Sequence, residues 1–178
     1  IAAAHPGVYA AIGIHPNDCG ESAEADLEAF RQLALEDRER GGDPAKQGRK
    51  IVAIGEIGLD LYWKRVPLDR QRRFLDLHLA LARDVGLPAM LHARDGAATM
   101  MDAMEPFLQA GGQAVWHCFC GPKKDLEQLL HRAEALGLHL GLGGLATFED
   151  QKALRNLIPR IPDRLLLLET DAPFLLPR

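Results

Sequence analysis

The stretch IVAIGEIGLD, residues 51–60, shows the unit from which the chain is built. Its apolar, β-branched run from Ile51 to Ile57 predicts a buried strand, and the carboxylate of Glu56 lies inside that run. The segment that follows, Leu68 to Val85, repeats apolar residues at spacings of three and four, which predicts an amphipathic helix. A strand followed by a covering helix is typical of parallel α/β folds.

The same unit recurs on both sides of this stretch. Strands are predicted at Val8–Ile14, Ile51–Ile57, Pro88–His92, Ala114–Phe119, Leu138–Leu142 and Leu165–Glu169. Helices are predicted at Ser22–Arg38, Leu68–Val85, Gly96–Gln109, Lys123–Leu136 and Asp150–Leu157. The charged segment 36–50, which contains Gly and Pro, is predicted to be a solvated loop. This order indicates a parallel sheet, and the spacing alone leaves open a doubly wound sheet or a (β/α) barrel.

Composition limits the class of protein. With 178 residues, 47% hydrophobic and 26% charged, the chain is predicted to form a single globular domain over residues 1–178. A formal net charge of -4 counts against a non-specific DNA coat. Three cysteines without paired spacing favour a reducing cytoplasm, and no apolar run reaches the ~20 residues that a membrane helix needs. We therefore expect a cytoplasmic protein without a membrane anchor, and no obligatory protein partner is evident.

Side chains that bind metals follow or end the predicted strands. In parallel α/β folds the carboxyl ends of the strands converge on one face, where chemistry takes place. Imidazole and carboxylate donors suit Zn, Mn or Mg, so several of them on one rim predict a divalent metal site. The donors at these strand ends are His15, Glu56, His92, His117 and Asp171.

Each of these residues also has a purely structural explanation. An ionised Glu56 in a buried strand is costly unless it meets a cation, which makes a structural role the weaker hypothesis. His92 and His117 could be hydrogen-bonded core histidines, and Asp171 could cap a turn. Cys118 is expected to point away from His117 and to pack on the outer face, if residues alternate between the two faces of the strand.

Five motifs, in this order, resemble the TatD family of metal-dependent deoxyribonucleases, within the amidohydrolase-like superfamily. They are Gly13-Ile14-His15-Pro16, Gly55-Glu56-Ile57-Gly58-Leu59-Asp60, His92-Ala93-Arg94, His117-Cys118-Phe119 and Leu168-Glu169-Thr170-Asp171-Ala172-Pro173-Phe174-Leu175. The resemblance implies a (β/α)8 TIM-type barrel of which this chain holds about six strands, the third to the eighth. The first two strands, with the family's H-x-H ligand pair, and the closing helix are then expected to be missing.

The resemblance also implies roles for individual residues. It implies metal ligands at Glu56, His92, His117 and Asp171. Glu56 is similar to the carboxylate that bridges or binds two divalent ions, and Asp171 to the general base, which makes these two the catalytic candidates. His15 and Arg94 are the substrate-binding candidates, Arg94 because a guanidinium matches two phosphate oxygens. The alternative for Arg94 is a salt bridge to Asp95 or Asp60.

Three functions follow from these residues. The first is a TatD-like nuclease that cleaves phosphodiester bonds of DNA with water activated by one or, more in keeping with the family, two divalent ions (Mg, Mn or Zn). The second uses the same site on a small ester, lactone or amide. The third is a non-catalytic scaffold or binding protein with an incomplete metal site, and for residues 1–178 alone the lack of the H-x-H pair favours it.

Overall fold

Six strands lie side by side and run parallel in one sheet. The computed structural model describes residues 1–41 and 48–178. The strands are β1 (Ala10–Ile12), β2 (Ile51–Asp60), β3 (Ala89–Arg94), β4 (Ala114–Trp116), β5 (His139–Leu142) and β6 (Leu166–Leu168). Between them lie α1 (Asp26–Gly41), α2 (Leu68–Val85), α3 (Ala97–Gln109), α4 (Leu126–Leu136) and α5 (Lys152–Leu157).

Each strand pairs with the next strand along the chain, in the order β1 to β6. A doubly wound sheet reverses its strand order at a switch point, and this sequential order contains no reversal in the described ranges. The six strands therefore form an arc of a (β/α) barrel, which decides between the two architectures that the spacing left open.

The predicted elements are all present, with shifted ends. The α2 helix has the predicted bounds, whereas β2 continues to Asp60 instead of ending at Ile57. The predicted loop over 36–50 is wrong at its start, because α1 continues to Gly41 with a salt bridge between Glu36 and Arg40 one turn apart. Residues 42–47 of that loop lie outside the described residues.

The helices cover the sheet with their apolar faces. On α2, Phe74, Leu75 and Ala82 are buried, and α2 packs against β2. Burying a leucine or phenylalanine of this kind stabilises the fold by about 1.5–3 kcal/mol relative to exposing it. Helix α2 ends at Gly86, whose left-handed conformation lets its N–H reach the last carbonyls of the helix. Among the described residues, no helix has the length and apolar character required to cross a membrane.

Gly58 brings β2 unusually close to β3. It lies beside His92 in the strand register, its φ is +146°, and an added Cβ would overlap the backbone carbonyl of His92. We expect Gly58→Ala to lower the free energy of unfolding by about 2–3 kcal/mol, because the methyl group must displace the backbone of a neighbouring strand.

A matched control for Gly58→Ala is Gly86→Ala, where φ is +66° and the space around an added Cβ is open. Only the conformational penalty applies there, so we expect a loss of about 1 kcal/mol. Urea denaturation of both variants measures the difference. Equal losses would mean that the contact with His92 does not restrict residue 58.

Candidate metal centre

A cleft of about 980 Å³ opens at the carboxyl end of the sheet. Strand β3 places His92 and Arg94 at the cleft, and the loop after β1 places His15 there. Glu56 lies within β2, four residues before its end, so the strand holds this carboxylate more firmly than a loop would. The residues predicted from the sequence all line this cleft: His15, Glu56, His92, Arg94, His117 and Asp171.

His92 lies between two carboxylates. Its Nδ1 is 3.0 Å from Glu56 Oε1, and its Nε2 is 3.0 Å from Asp60 Oδ2. The Asp60 side chain is 1% exposed, whereas that of Glu56 is 25% exposed and faces the cleft. Asp60 therefore orients the His92 ring from the protein interior. Glu56 lies beside Nδ1, on the side of the ring that faces the cleft.

His117 repeats this arrangement on the other side of the cleft. Its Nδ1 is 2.8 Å from Glu169 Oε2, and its Nε2 is 3.5 Å from Asp171 Oδ1. Glu169 is 18% exposed and also accepts the backbone N–H of Cys118, whereas Asp171 is 36% exposed. Each histidine thus has one carboxylate that orients it and one that faces the cleft.

These contacts test the structural explanations for the same residues. His92 and His117 are hydrogen-bonded, but to carboxylates at a cleft rather than to groups of the core. Asp171 does not supply the side chain that caps the turn, because Thr170 Oγ1 accepts the N–H of Ala172. The carboxylate of Asp171 is left facing His117.

Glu169 and Asp60 are further candidate site residues, to which the sequence analysis gave too little weight. In the sequence analysis Asp60 was only part of a motif and an alternative partner of Arg94, and Glu169 was assigned no role. A signal for Glu169 was present, because Glu169 and Asp171 are two residues apart and alternate residues of an extended segment share a side. Gly141 on the neighbouring strand leaves the space that the Glu169 carboxylate fills.

The prediction that Cys118 points away from His117 is wrong. Its thiol lies with His117 and Glu169 in a group whose donor atoms are all within 4.8 Å of one another. Strand β4 ends at Trp116, and Cys118 has a φ of +48°, so the alternation of an extended strand does not reach it. The hydrogen bond between Cys118 and His117, and then the one that His117 donates to Glu169, raises the pKa of His117 to about 11.

Two carboxylates beside the histidines have lowered pKa values. Burial acts to raise the pKa of Glu56, but the hydrogen bond and the charge of His92 outweigh it, so the pKa of Glu56 is lowered. The pKa of Glu169 is lowered in the same way by His117 and by the Cys118 backbone. Carboxylates that stay anionic beside the cleft attract a cation.

His15 and Arg94 occupy the rim. The His15 ring packs edge-on against His92 with 4.4 Å between centroids, and its Nδ1 accepts the N–H of Asn17, which leaves Nε2 for a ligand. Burial, and then the charge of His92, lowers the pKa of His15. Among the described residues Arg94 makes no salt bridge to Asp95 or Asp60, and its guanidinium lies 4.1 Å from the Tyr62 ring centroid instead.

The donor set fits divalent ions. A neutral imidazole has one N–H and one lone pair, so His92 can donate to only one of its two carboxylates. If Nε2–H donates to Asp60, the Nδ1 lone pair faces Glu56, and a cation held by these two residues would remove that repulsion. A histidine that binds a metal while its other nitrogen donates to a carboxylate is the usual arrangement in metalloproteins. Candidate groups of donors occur at His15, Glu56 and His92, and at His117, Cys118 and Glu169.

Curated relatives align with this chain over nearly all of its length. A protein of Pantoea vagans named 3'-5' ssDNA/RNA exonuclease TatD is 37% identical over 180 residues, which cover 100% of this chain and 63% of the relative. The uncharacterized metal-dependent hydrolase YabD of Bacillus subtilis is 34% identical over 173 residues, 96% of this chain and 60% of the relative. The chain thus spans about 60% of the length of the relatives it matches.

Solved structures agree with the fold. The crystal structure of YjjV, a TatD homologue of Escherichia coli K12, superposes with a TM-score of 0.79 at 33% identity, over 96% of this chain and 60% of that one. A TatD family hydrolase of Entamoeba histolytica superposes with a TM-score of 0.73 at 25% identity, over 94% of this chain and 51% of that one. The family model described as TatD related DNase matches residues 1–178. Because this model covers the whole chain, and the sequential parallel sheet and the cleft agree with it, the chain belongs to the TatD-related DNase family.

Proposed function

We propose that this cleft binds divalent metal ions and hydrolyses phosphodiester bonds of single-stranded nucleic acid, with DNA as the expected substrate. The observation that carries the proposal is the pair of histidines, His92 and His117, each oriented from behind by one carboxylate and facing the cleft beside another. Two such sets on one cleft offer donors for two ions. The names of relatives as 3'-5' ssDNA/RNA exonucleases support the choice of substrate.

The ligands in this proposal are Glu56, His92, His117 and Asp171, with Mg, Mn or Zn as the candidate ions. When bound, such ions would supply the positive charge that activates water and polarises a phosphoryl oxygen. Asp60 and Glu169 hold the two imidazoles in place, so each ring keeps a nitrogen directed at the cleft. Glu56, kept ionised by its neighbours, supplies negative charge between the two histidines.

Asp171 is the proposed general base. Its side chain is 36% exposed, more than those of Glu56 and Glu169, so of these three carboxylates it is the one that a water molecule in the cleft reaches most easily. The proton leaves the attacking water for Asp171, and the 3.5 Å contact with His117 Nε2 keeps the carboxylate directed at the cleft.

Two rim residues are proposed to hold the substrate. The Nε2 of His15 faces the cleft because its Nδ1 is engaged by Asn17, so it can donate to a phosphate oxygen. Arg94 offers a guanidinium whose planar donors match two phosphate oxygens.

The cytoplasmic location expected from the cysteines stays a prediction. All three cysteines are free thiols.

The proposal is tested by comparing substrates. A labelled single-stranded oligodeoxynucleotide should be shortened in the presence of Mn²⁺ or Mg²⁺, and excess chelator should abolish the reaction. The same preparation should turn over a panel of acyl esters and lactones more slowly by at least about a hundredfold in kcat/KM, because a carbonyl substrate lacks the phosphate oxygens that His15 and Arg94 bind.

Each of the other outcomes selects another function. Faster turnover of a lactone or ester than of DNA would replace the nuclease with a small-molecule hydrolase. No bound divalent ion by elemental analysis, together with no chelator-sensitive activity on any substrate, would support a non-catalytic scaffold.

A further inference from the structure

Two exposed aromatic rings stand at the rim of the metal-centre cleft. Tyr62 is 50% exposed and Trp63 is 49% exposed, although side chains of this size usually bury most of their surface. They begin two residues after the end of β2 and are followed by two cations, Lys64 and Arg65. Trp63 lines the same cleft as the candidate metal ligands.

The rings and two guanidinium groups pack together. The Tyr62 and Trp63 rings meet edge to face, with 5.0 Å between centroids. The Arg94 guanidinium lies 4.1 Å from the Tyr62 centroid and 5.4 Å from that of Trp63, and the Arg65 guanidinium lies 5.1 Å from that of Trp63. We call Tyr62, Trp63, Arg65 and Arg94 the aromatic platform. It combines exposed π surface with two positive charges, in a chain whose net charge is -4.

The aromatic platform is anchored to the metal centre by one buried carboxylate. Asp60 Oδ1 accepts the backbone N–H groups of Tyr62, at 3.0 Å, and of Trp63, at 2.9 Å. Its other oxygen contacts His92 Nε2, and its own backbone N–H donates to Gln71 Oε1 at 2.7 Å. Because the carboxylate that orients a candidate metal ligand also fixes the two aromatic residues, the aromatic platform holds a defined position relative to the reaction centre.

Surface packing alone is a poor explanation for this arrangement. Arginine stacking on an aromatic ring is common at protein surfaces, but here it leaves half of an indole uncovered beside a cleft. An exposed aromatic ring flanked by cations has the properties of a site for single-stranded nucleic acid, in which a base stacks on the ring and the cations meet the backbone. Stacking tolerates any sequence, since every base has a π face.

We propose that the aromatic platform binds a nucleobase of a single-stranded nucleic acid by stacking on Trp63, with Arg65 and Arg94 contacting the flanking phosphates. This inference rests on the proposed function and adds the element that recognises the base. It predicts that binding near the metal centre depends on the base as well as on the phosphate charge.

The test measures binding in chelator, so that hydrolysis does not interfere. Anisotropy of a labelled oligothymidylate and of an abasic strand of equal length gives the two affinities. The wild-type protein should bind the abasic strand about 5- to 100-fold more weakly, the range expected for one stacked base. Trp63→Leu should lose the same factor for oligothymidylate and leave affinity for the abasic strand unchanged, whereas Trp63→Phe should keep most of the preference.

Tyr9 provides a matched control. It is 48% exposed, has the Lys50 ammonium 5.4 Å from its ring centroid, and precedes β1, at the end of the sheet opposite the cleft. Tyr9→Leu should bind both strands as the wild-type protein does. A fluorescence titration gives a second readout, because the difference between wild type and Trp63→Phe isolates the emission of Trp63, which stacking should quench.

Failure of the aromatic platform and failure of the proposed function are distinguishable. If the wild-type protein hydrolyses DNA but Trp63→Leu binds both strands as wild type does, or loses both affinities equally, the platform is rejected and the nuclease stands. If the wild-type protein binds neither strand and hydrolyses neither, both are overturned.

Discussion

Replacing Glu56 with glutamine is expected to reduce metal-dependent hydrolysis of DNA by about a thousandfold or more. The substitution keeps the size of the side chain and removes the negative charge that faces the cleft next to His92 Nδ1. A bound metal ion contributes several kcal/mol of transition-state stabilisation, and losing about 4 kcal/mol of it with the ligand charge corresponds to a thousandfold in rate. Both kcat/KM for a labelled oligonucleotide and the content of bound metal should fall.

Glu24→Gln is the control for Glu56→Gln. It removes the same charge from a surface pair, in which Glu24 lies 2.9 Å from Arg73 and both side chains are largely exposed. A solvent-exposed pair contributes little to stability, so this variant should keep wild-type activity and nearly wild-type stability. If Glu56→Gln retained its metal and a rate within tenfold of wild type, Glu56 would not be part of the metal centre.

The sequence was sufficient to predict that residues distant along the chain meet at one cleft. His15, Glu56, His117 and Asp171 are spread over most of the chain, yet strand order and the rule that parallel strands end on one face predicted their meeting. The structure places all four on the same cleft. Their roles as ligands and base remain proposals, because position at a strand end does not distinguish a ligand from a residue that orients one.

What the sequence could not predict lies in the loops after the strands. Cys118 turns toward Glu169 because this non-glycine residue, two positions after the end of β4, adopts positive φ, and no local pattern signals that conformation. Asp60 accepts two backbone N–H groups and contacts His92 only because β2 continues three residues further than its apolar run. Both outcomes depend on where a strand ends, which is the least predictable property of an element.

Replacing Glu169 with glutamine is the second substitution expected to have a large effect, through His117 rather than through direct contact with substrate. With metal bound, Nδ1 of His117 must carry the proton so that Nε2 presents its lone pair to the cleft, and Glu169 accepts that proton's hydrogen bond at 2.8 Å. A glutamine has one oxygen, which can accept either from His117 or from the N–H of Cys118. At the other contact the amide NH₂ of the glutamine would face a second N–H donor. We expect metal affinity to fall by about 10- to 100-fold.

Chelator competition measures this affinity without reference to activity, which separates a positioning role from a catalytic one. Glu105→Gln removes the same charge from a pair that joins α3 to Arg132 on α4, away from the cleft lining, and should leave the affinity unchanged. The double variant of Glu169→Gln with His117→Ala should bind metal no more weakly than His117→Ala alone, because Glu169 acts through a ring that is then absent. Additive losses in the double variant would mean that Glu169 contacts the ion itself, and the donors at this side of the cleft would then be His117 and Glu169 in place of His117 and Asp171.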